Sequence, residues 1–160
     1  MTTERRWIGF PNPVNEVAAR CVAAGVLVEC AVFLATRQPV IVAVLAYGFV
    51  ARVLAGPRYS PLGLLATRVV VPRLPVAPKL VPGPPKRFAQ GIGATLSVAA
   101  LVASLLGATT AAVVLVSLIV VAATLESMLA ICLGCHVFAL LTRAGIIPPS
   151  VCEACNRLVV

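Results

Sequence analysis

Four long apolar runs dominate the chain, and short polar or proline-rich segments separate them. The runs cover residues 17–35, 40–54, 88–106 and 111–131, and the last continues as apolar sequence to about residue 142. Each run has or approaches the ~20 residues that a helix needs to cross the hydrocarbon core of a bilayer. The pattern therefore predicts an all-α, polytopic membrane protein with four transmembrane helices in a single membrane domain.

The connections between the runs predict how the helices pair. Thr36-Arg37-Gln38-Pro39 and Gly107-Ala108-Thr109-Thr110 are tight turns, so each joins two antiparallel helices. A linker over residues 55–87 separates the two hairpins, and its later half is rich in proline, which disfavours regular helix. Residues 61–71 within this linker are predicted to form a short amphipathic helix that lies on the membrane surface. The predicted architecture is two antiparallel hairpins joined by a proline-rich, basic linker.

The fourth apolar run is too long for one straight crossing of the bilayer. A helix from Ala111 to Arg143 would be about 50 Å long, whereas the hydrocarbon core is ~30 Å thick. The helix must therefore tilt, break near Gly134 or project beyond the bilayer. Pro148-Pro149 ends it, and residues 144–160 form a tail that contains cysteines.

Composition supports the lipid environment. The chain is 61% hydrophobic and 11% charged, whereas a soluble domain is about 45–50% apolar and ~25% charged. So few polar residues cannot cover a water-soluble globule, which makes the lipid bilayer the expected partner. The net charge of +8 falls between the apolar runs and not on one soluble face, and this distribution argues against nucleic-acid binding.

The basic residues predict the orientation of the chain. Seven lie in or beside the central linker, which contains no acid: Arg52, Arg58, Arg68, Arg73, Lys79, Lys86 and Arg87. The two short turns carry only Arg37 between them. Because basic loops stay on the cytosolic side, we expect a cytosolic linker. An even number of crossings then places the N- and C-termini in the cytosol as well.

Two C-x-x-C pairs are the strongest chemical signal: Cys132-Leu-Gly-Cys135 and Cys152-Glu-Ala-Cys155, with sixteen residues between them. Four thiolates at this spacing match a tetrahedral, structural zinc site, which would clamp the tail against the end of the fourth helix. The same pairs match thiol–disulfide redox chemistry, in which one thiol of lowered pKa attacks a disulfide of another protein. In that hypothesis Cys152 and Cys155 exchange with a soluble partner, and Cys132 and Cys135 form the second couple. A persulfide relay is a variant of it.

Three other ionisable residues are candidates for function. Glu29 and Glu126 lie inside predicted spans, where an ionised carboxylate must be paired, protonated or exposed to a wet cavity. One hypothesis is that the protein is a transporter subunit that uses these two carboxylates. The expected partners of the carboxylates are Arg20, Arg52 and Gln90, and Glu29 lies farther from them than Glu126. His136 follows Cys135 directly and could assist a thiol or bind a metal. We expect it to be a structural hydrogen-bonding residue.

Several blocks together resemble one bacterial integral-membrane family: Phe10–Arg20, Gly56–Pro61, Pro82–Gly93, Cys132–Cys135 and Cys152–Asn156. The family is catalogued as domain of unknown function 4395. The resemblance covers nearly the whole chain and implies a small four-helix protein of the bacterial cytoplasmic membrane. It also implies an association with thioredoxin-like or sulfurtransferase proteins, beside which members can be encoded. Thiol-redox or sulfur-relay activity with such a partner is therefore the leading hypothesis, ahead of the zinc and transporter alternatives.

Overall fold

Four long helices form the body of the protein in the computed structural model, which describes residues 10–148 and Val151. Two of them, α1 (Glu16–Thr36) and α2 (Pro39–Ala55), make the first hairpin, and α4 (Gly83–Leu105) and α5 (Thr109–Leu129) make the second. A short helix, α3 (Pro61–Leu65), follows α2, and α6 (Leu133–Arg143) follows α5. This arrangement confirms the predicted all-α, two-hairpin fold.

The four long helices pack as a closed bundle. Each contacts its hairpin partner, and the two hairpins meet where α2 packs against α4 and α1 against α5. Phe33, Val42, Leu45 and Val116 are almost fully buried between them. Many large aliphatic side chains also point outward, for example Val28 and Val114, which suits helices surrounded by lipid. All four helices, with α2 taken together with the helical turns that extend it to Arg73, are long and apolar enough to cross a membrane.

The second hairpin begins earlier than predicted. Residues 83–87, assigned to the linker from the sequence, already belong to α4. The prediction failed because prolines were counted as helix breakers wherever they occurred. Pro84 and Pro85 lie in the first turn of α4, where the backbone N–H groups have no partner within the helix and nothing is lost. The inward-facing part of α4 therefore includes Lys86.

The segment after α2 packs onto the bundle. The predicted helix over residues 61–71 is present as α3, a π-helical turn over Ala66–Val70 and a 3₁₀ turn over Val71–Arg73. Leu62 contacts α1 so closely that a Cβ on Gly25 would lie 2.8 Å from its side chain. This segment covers one side of α1, and its residue Ala66 is buried.

The segments that lead into the two hairpins are joined. Two short strands, β1 (Val14–Asn15) and β2 (Leu80–Val81), pair antiparallel just before α1 and α4. The backbone N–H of Gly83 donates to Oδ1 of Asn12 at 3.0 Å. The bundle therefore has one end at which α1 and α4 begin and α2 and α5 end. Among the described basic residues, Arg20, Arg52, Arg58, Lys79, Lys86 and Arg87 lie at or beside this end, and we call it the basic end.

Two glycines of α4 allow a matched test of the contact between α2 and α4. A Cβ on Gly93 would lie 2.2 Å from the Phe49 ring, whereas a Cβ on Gly91 would meet nothing within 4 Å. Gly93→Ala should lower the free energy of unfolding by about 1–3 kcal/mol because the ring must move. Gly91→Ala should raise it by about 0.5–1 kcal/mol, the usual helix preference for alanine.

Unfolding in mixed detergent micelles with increasing dodecyl sulfate, followed by circular dichroism, measures both variants. Effects of equal sign and size would contradict this packing of α2 on α4.

Candidate functional site

A break in the fourth apolar run positions the first cysteine pair. Helix α5 ends at Leu129, its C-cap residue Ala130 adopts a left-handed conformation (φ 56°), and α6 starts at Leu133. Cys132 is the N-cap residue of α6 and Cys135 lies in its first turn. Of the three outcomes that the sequence allowed, the helix therefore breaks, just before Gly134. The break turns the C-x-x-C pair inward at the basic end, and Cys132 is buried.

The two thiols of this pair are not equivalent. The Cys135 thiol donates to the sulfur of Cys132, and this hydrogen bond holds the pKa of Cys132 below its ordinary value. Burial and the charge of Glu126 oppose this effect, while the charge of Lys86 supports it. The same hydrogen bond, together with burial, raises the pKa of Cys135 well above its ordinary value. The N-terminus of α6 also favours an anion at Cys132. Cys132 is therefore the better nucleophile.

A buried ion pair lies beside the thiols. Nζ of Lys86 on α4 is 2.6 Å from a carboxylate oxygen of Glu126 on α5, and the two side chains are only 8% and 15% exposed. The ammonium group is close enough to interact electrostatically with both Cys132 and Cys135. Lys86 thus neutralises Glu126 and places a positive charge near the sulfur of Cys132.

Sequence reasoning missed this role of Lys86, since the linker was thought to continue to residue 87. Glu126, a glutamate within an apolar run, requires a compensating partner, and Lys86 lies near the start of the helix that pairs with α5. This requirement was recognised from the sequence, but Arg20, Arg52 and Gln90 were assigned as the partners.

The partners expected for the buried glutamates have other contacts. Arg20 donates from Nε and Nη2 to the carbonyl oxygen of Ser127 at 3.1 and 3.0 Å, and so caps the end of α5. Arg52 donates from Nε to Oε1 of Gln90 at 2.8 Å and from Nη1 to Oγ of Ser60 at 2.9 Å. Its guanidinium carbon also lies 4.5 Å from the centre of the Phe49 ring.

Arg52 is buried more deeply than an ordinary arginine. The residue is 4% exposed, and its Nη2 has no hydrogen-bond partner within residues 10–148 and Val151. A buried donor without an acceptor is costly and marks a site where an acceptor would be stabilised.

Glu29 and His136 are not part of the thiol cluster. Glu29 is half-buried on α1 and lies within electrostatic range of Arg52. It forms no salt bridge with any of the described residues. The exposed ring of His136 lies with Nδ1 2.9 Å from the carbonyl oxygen of Cys132. The His136 ring therefore bonds to the backbone at the start of α6, and its partner in this bond is an oxygen atom and not a sulfur.

A cavity of about 340 Å³ connects these groups. Arg52, Gln90, Glu126 and Cys132 contribute its polar wall, and the rest is mainly aliphatic side chains of α1, α4, α5 and α6. Small-molecule sites are usually apolar cavities of ~300–1,000 Å³ with a few convergent polar groups. The cavity has this character and includes the nucleophilic thiol.

The second cysteine pair, Cys152 and Cys155, lies outside the described residues, and so does that half of the predicted four-cysteine zinc site. Among residues 10–148 and Val151, no group of three or more His, Cys, Asp or Glu side chains is arranged to hold a metal ion. The remaining cysteines, Cys21 and Cys30, are in α1, and Cys30 is fully buried in the bundle core.

Comparison with known proteins places this architecture in a family. No curated protein and no solved structure matched the chain. A family model matched residues 14–143, which include all six helices and the Cys132–Cys135 pair. This agrees with the resemblance found in the sequence. The chain belongs to the family described as Domain of unknown function (DUF4395).

Proposed function

We propose that this protein is a membrane-anchored thiol–disulfide exchange component in which Cys132 attacks and Cys135 resolves. The observation that carries the proposal is the position of the pair. Cys132 caps α6, receives a hydrogen bond from Cys135 and lies within range of the Lys86 ammonium. Helix N-termini, neighbouring cations and C-x-x-C spacing all favour a thiolate.

The exchange proceeds in two balanced steps. The Cys132 thiolate attacks one sulfur of the partner's disulfide, so a mixed disulfide forms and the partner's other sulfur leaves as a thiolate. Cys135, after losing its proton, attacks Cys132 and releases the partner's first sulfur. In total, two electrons and two protons pass from the Cys132–Cys135 dithiol to the partner, and an internal disulfide remains. In the sulfur-relay variant, Cys132 takes the outer sulfur of a partner's persulfide with no net redox change.

The proposed partner is a soluble thioredoxin-like or sulfurtransferase protein. Basic segments next to transmembrane helices stay on the cytosolic side. In this proposal the basic end, both chain termini and the Cys132–Cys135 pair therefore face the cytosol of a bacterial cell. Cys152 and Cys155 in the tail provide the second couple, which meets the partner first and passes electrons to or from the inner pair.

Trapping the mixed disulfide tests the assignment of Cys132. The purified full-length protein is mixed with an oxidised thioredoxin-fold protein, and covalent adducts are identified by mass spectrometry. To isolate the inner pair, Cys152 and Cys155 are both replaced by serine in all variants. Cys135→Ser should accumulate an adduct through Cys132 because the resolving thiol is absent. Cys132→Ser should give almost none, and Cys21→Ser is the matched control.

Other results would support the alternatives. Equal adduct yields from Cys132→Ser and Cys135→Ser would contradict the assigned roles. About one zinc per chain, lost on Cys155→Ser, would indicate the structural four-cysteine site. A flux of an ion or substrate that needs Glu126 or Glu29, but no cysteine, would indicate a transporter subunit.

A further inference from the structure

The cavity beside Cys132 opens toward the outside of the helix bundle. Its lining includes exposed aliphatic side chains on three helices: Ile92 on α4, Leu118 and Val121 on α5, and Leu133 and Val137 on α6. These residues are 37–55% exposed and belong to the surface that faces lipid if α4 and α5 cross the bilayer. A ligand that enters between them comes from the hydrocarbon phase, so it must be lipid-soluble.

The polar groups inside the cavity indicate which kind of hydrogen-bond acceptor it would hold. Arg52 lines the cavity and keeps one buried nitrogen, Nη2, without a hydrogen-bond partner in the described part of the chain. Its Nε donates to Gln90 and its Nη1 to Ser60, and Lys86 is engaged by Glu126. One unpartnered nitrogen in a mainly apolar cavity suits a carbonyl oxygen on an apolar ring.

An anionic ligand fits these groups less well. An oxyanion has several oxygen atoms that each need a donor, and among the described residues Nη2 of Arg52 is the one fully buried side-chain atom without a partner. Glu126 also lies in the wall, and it already engages Lys86, so a bound anion would have only Arg52 as its counter-ion among the described residues of the wall. A neutral carbonyl compound avoids both costs.

We propose that this cavity binds the head group of a quinone from the bilayer and that the Cys132–Cys135 dithiol reduces it. The inference rests on the proposed thiol–disulfide exchange, run in the reverse direction so that a reduced thioredoxin-like partner supplies the electrons, and it adds the membrane-side electron acceptor. Two S–H bonds break, one S–S bond forms, and both quinone oxygens become hydroxyl groups. Two electrons and two protons therefore leave the dithiol and appear in the quinol. Arg52 Nη2 donates to the carbonyl oxygen on which negative charge grows during the transfer.

Two tryptophan variants on one helix test the site. Ile92→Trp fills the mouth of the cavity, whereas Val98→Trp adds the same bulk to an exposed position of α4 that is not part of the cavity lining. Ala122→Phe fills the cavity from α5 and provides a second, independent block. Each full-length protein is reduced without oxygen, freed of reductant in detergent micelles and titrated with decylubiquinone. Absorbance measures quinol, retained quinone measures binding, and alkylation with mass spectrometry measures the state of Cys132 and Cys135.

The unaltered chain should form one quinol for each Cys132–Cys135 disulfide. Ile92→Trp and Ala122→Phe should raise the half-saturating quinone concentration about tenfold or more. Val98→Trp should change it by less than about twofold. Cys132→Ser should still bind quinone but form no quinol, because only the attacking thiol is missing.

Each contrary outcome identifies what has failed. Equal quinone binding by the unaltered chain, both cavity-filling variants and Val98→Trp would overturn the site. Binding that depends on the cavity without quinol formation would overturn the electron transfer. If the chain trapped a thioredoxin-fold protein but neither bound nor reduced decylubiquinone, the quinone proposal would fall and the proposed function would stand. If it formed quinol but never trapped that protein, the assigned partner chemistry would be the part that failed.

Discussion

Lys86→Met is expected to lower the free energy of unfolding by about 3–5 kcal/mol, because Glu126 would remain buried without its counter-ion. The two charged groups lie 2.6 Å apart at 8% and 15% exposure, so little solvent is available to screen the carboxylate. Replacing both residues removes the pair without leaving a charge behind. Lys86→Met combined with Glu126→Leu should therefore recover most of the lost stability.

Unfolding in mixed micelles with increasing dodecyl sulfate measures the two single variants and the double variant as a cycle. A double variant as unstable as the sum of the single variants would show that the pair contributes nothing through its mutual contact. Lys86→Arg keeps the charge at the same position and serves as the conservative control.

The same change should alter the reactivity of Cys132. The Lys86 ammonium contributes to the lowered pKa of Cys132, so Lys86→Met should raise that pKa. The pH profile of Cys132 alkylation should accordingly move to higher pH in Lys86→Met and stay close to its original position in Lys86→Arg. If the pH profile of Cys132 alkylation did not move in Lys86→Met, the Lys86 charge would have no effect on the pKa of Cys132.

Gly134→Val should displace α6 from α4 and disable the thiol pair. A Cβ at residue 134 would lie 2.4 Å from Cβ and 2.5 Å from Cα of Ala89, so backbone atoms and not only side-chain ends would have to move. We expect a loss of about 1–3 kcal/mol in unfolding free energy, toward the upper end of that range because backbone is involved. Since Cys132 and Cys135 flank this position, their rate of disulfide exchange should fall by about tenfold or more.

Ala139→Val is the matched control for this variant. Ala139 lies on an exposed face of α6, so the change adds a β-branched residue to the same helix without a clash. Stopped-flow exchange with a small aromatic disulfide and unfolding in mixed micelles measure both properties. Equal behaviour of Gly134→Val and Ala139→Val would contradict the close approach of α6 to α4.

The fold was largely predictable because membrane crossing depends on local composition. The four apolar runs and the two tight turns were enough to predict the hairpins. The predicted start of α4 was wrong by several residues. Pro84 and Pro85 were read as helix breakers, but both are compatible with the first turn of a helix. The break before Cys132 was among the predicted alternatives, but its position depends on the left-handed conformation of Ala130, a residue type that gives no such signal.

The candidate site was predictable only in part. Spacing identified Cys132 and Cys135, and burial in an apolar run identified Glu126 as a residue that needs compensation. The partner of Glu126 was assigned wrongly, because Arg20 caps the end of α5 and Arg52 binds Gln90 and Ser60. All three basic residues lie near the same end of the bundle, so their positions along the chain do not decide which of them meets Glu126.

The sequence by itself determined the family, the four long helices, their pairing into hairpins and the end of the bundle where the basic residues concentrate. Each of these depends on hydrophobicity, turn residues and charge within a short stretch of chain. The tertiary structure decided which charged group meets which. The contacts of Lys86 with Glu126 and of Arg52 with Gln90 join residues 40 and 38 positions apart. Such contacts, and the cavity that they border, depend on how far each helix is rotated about its axis and where α6 packs on α4, which the packing of small residues sets.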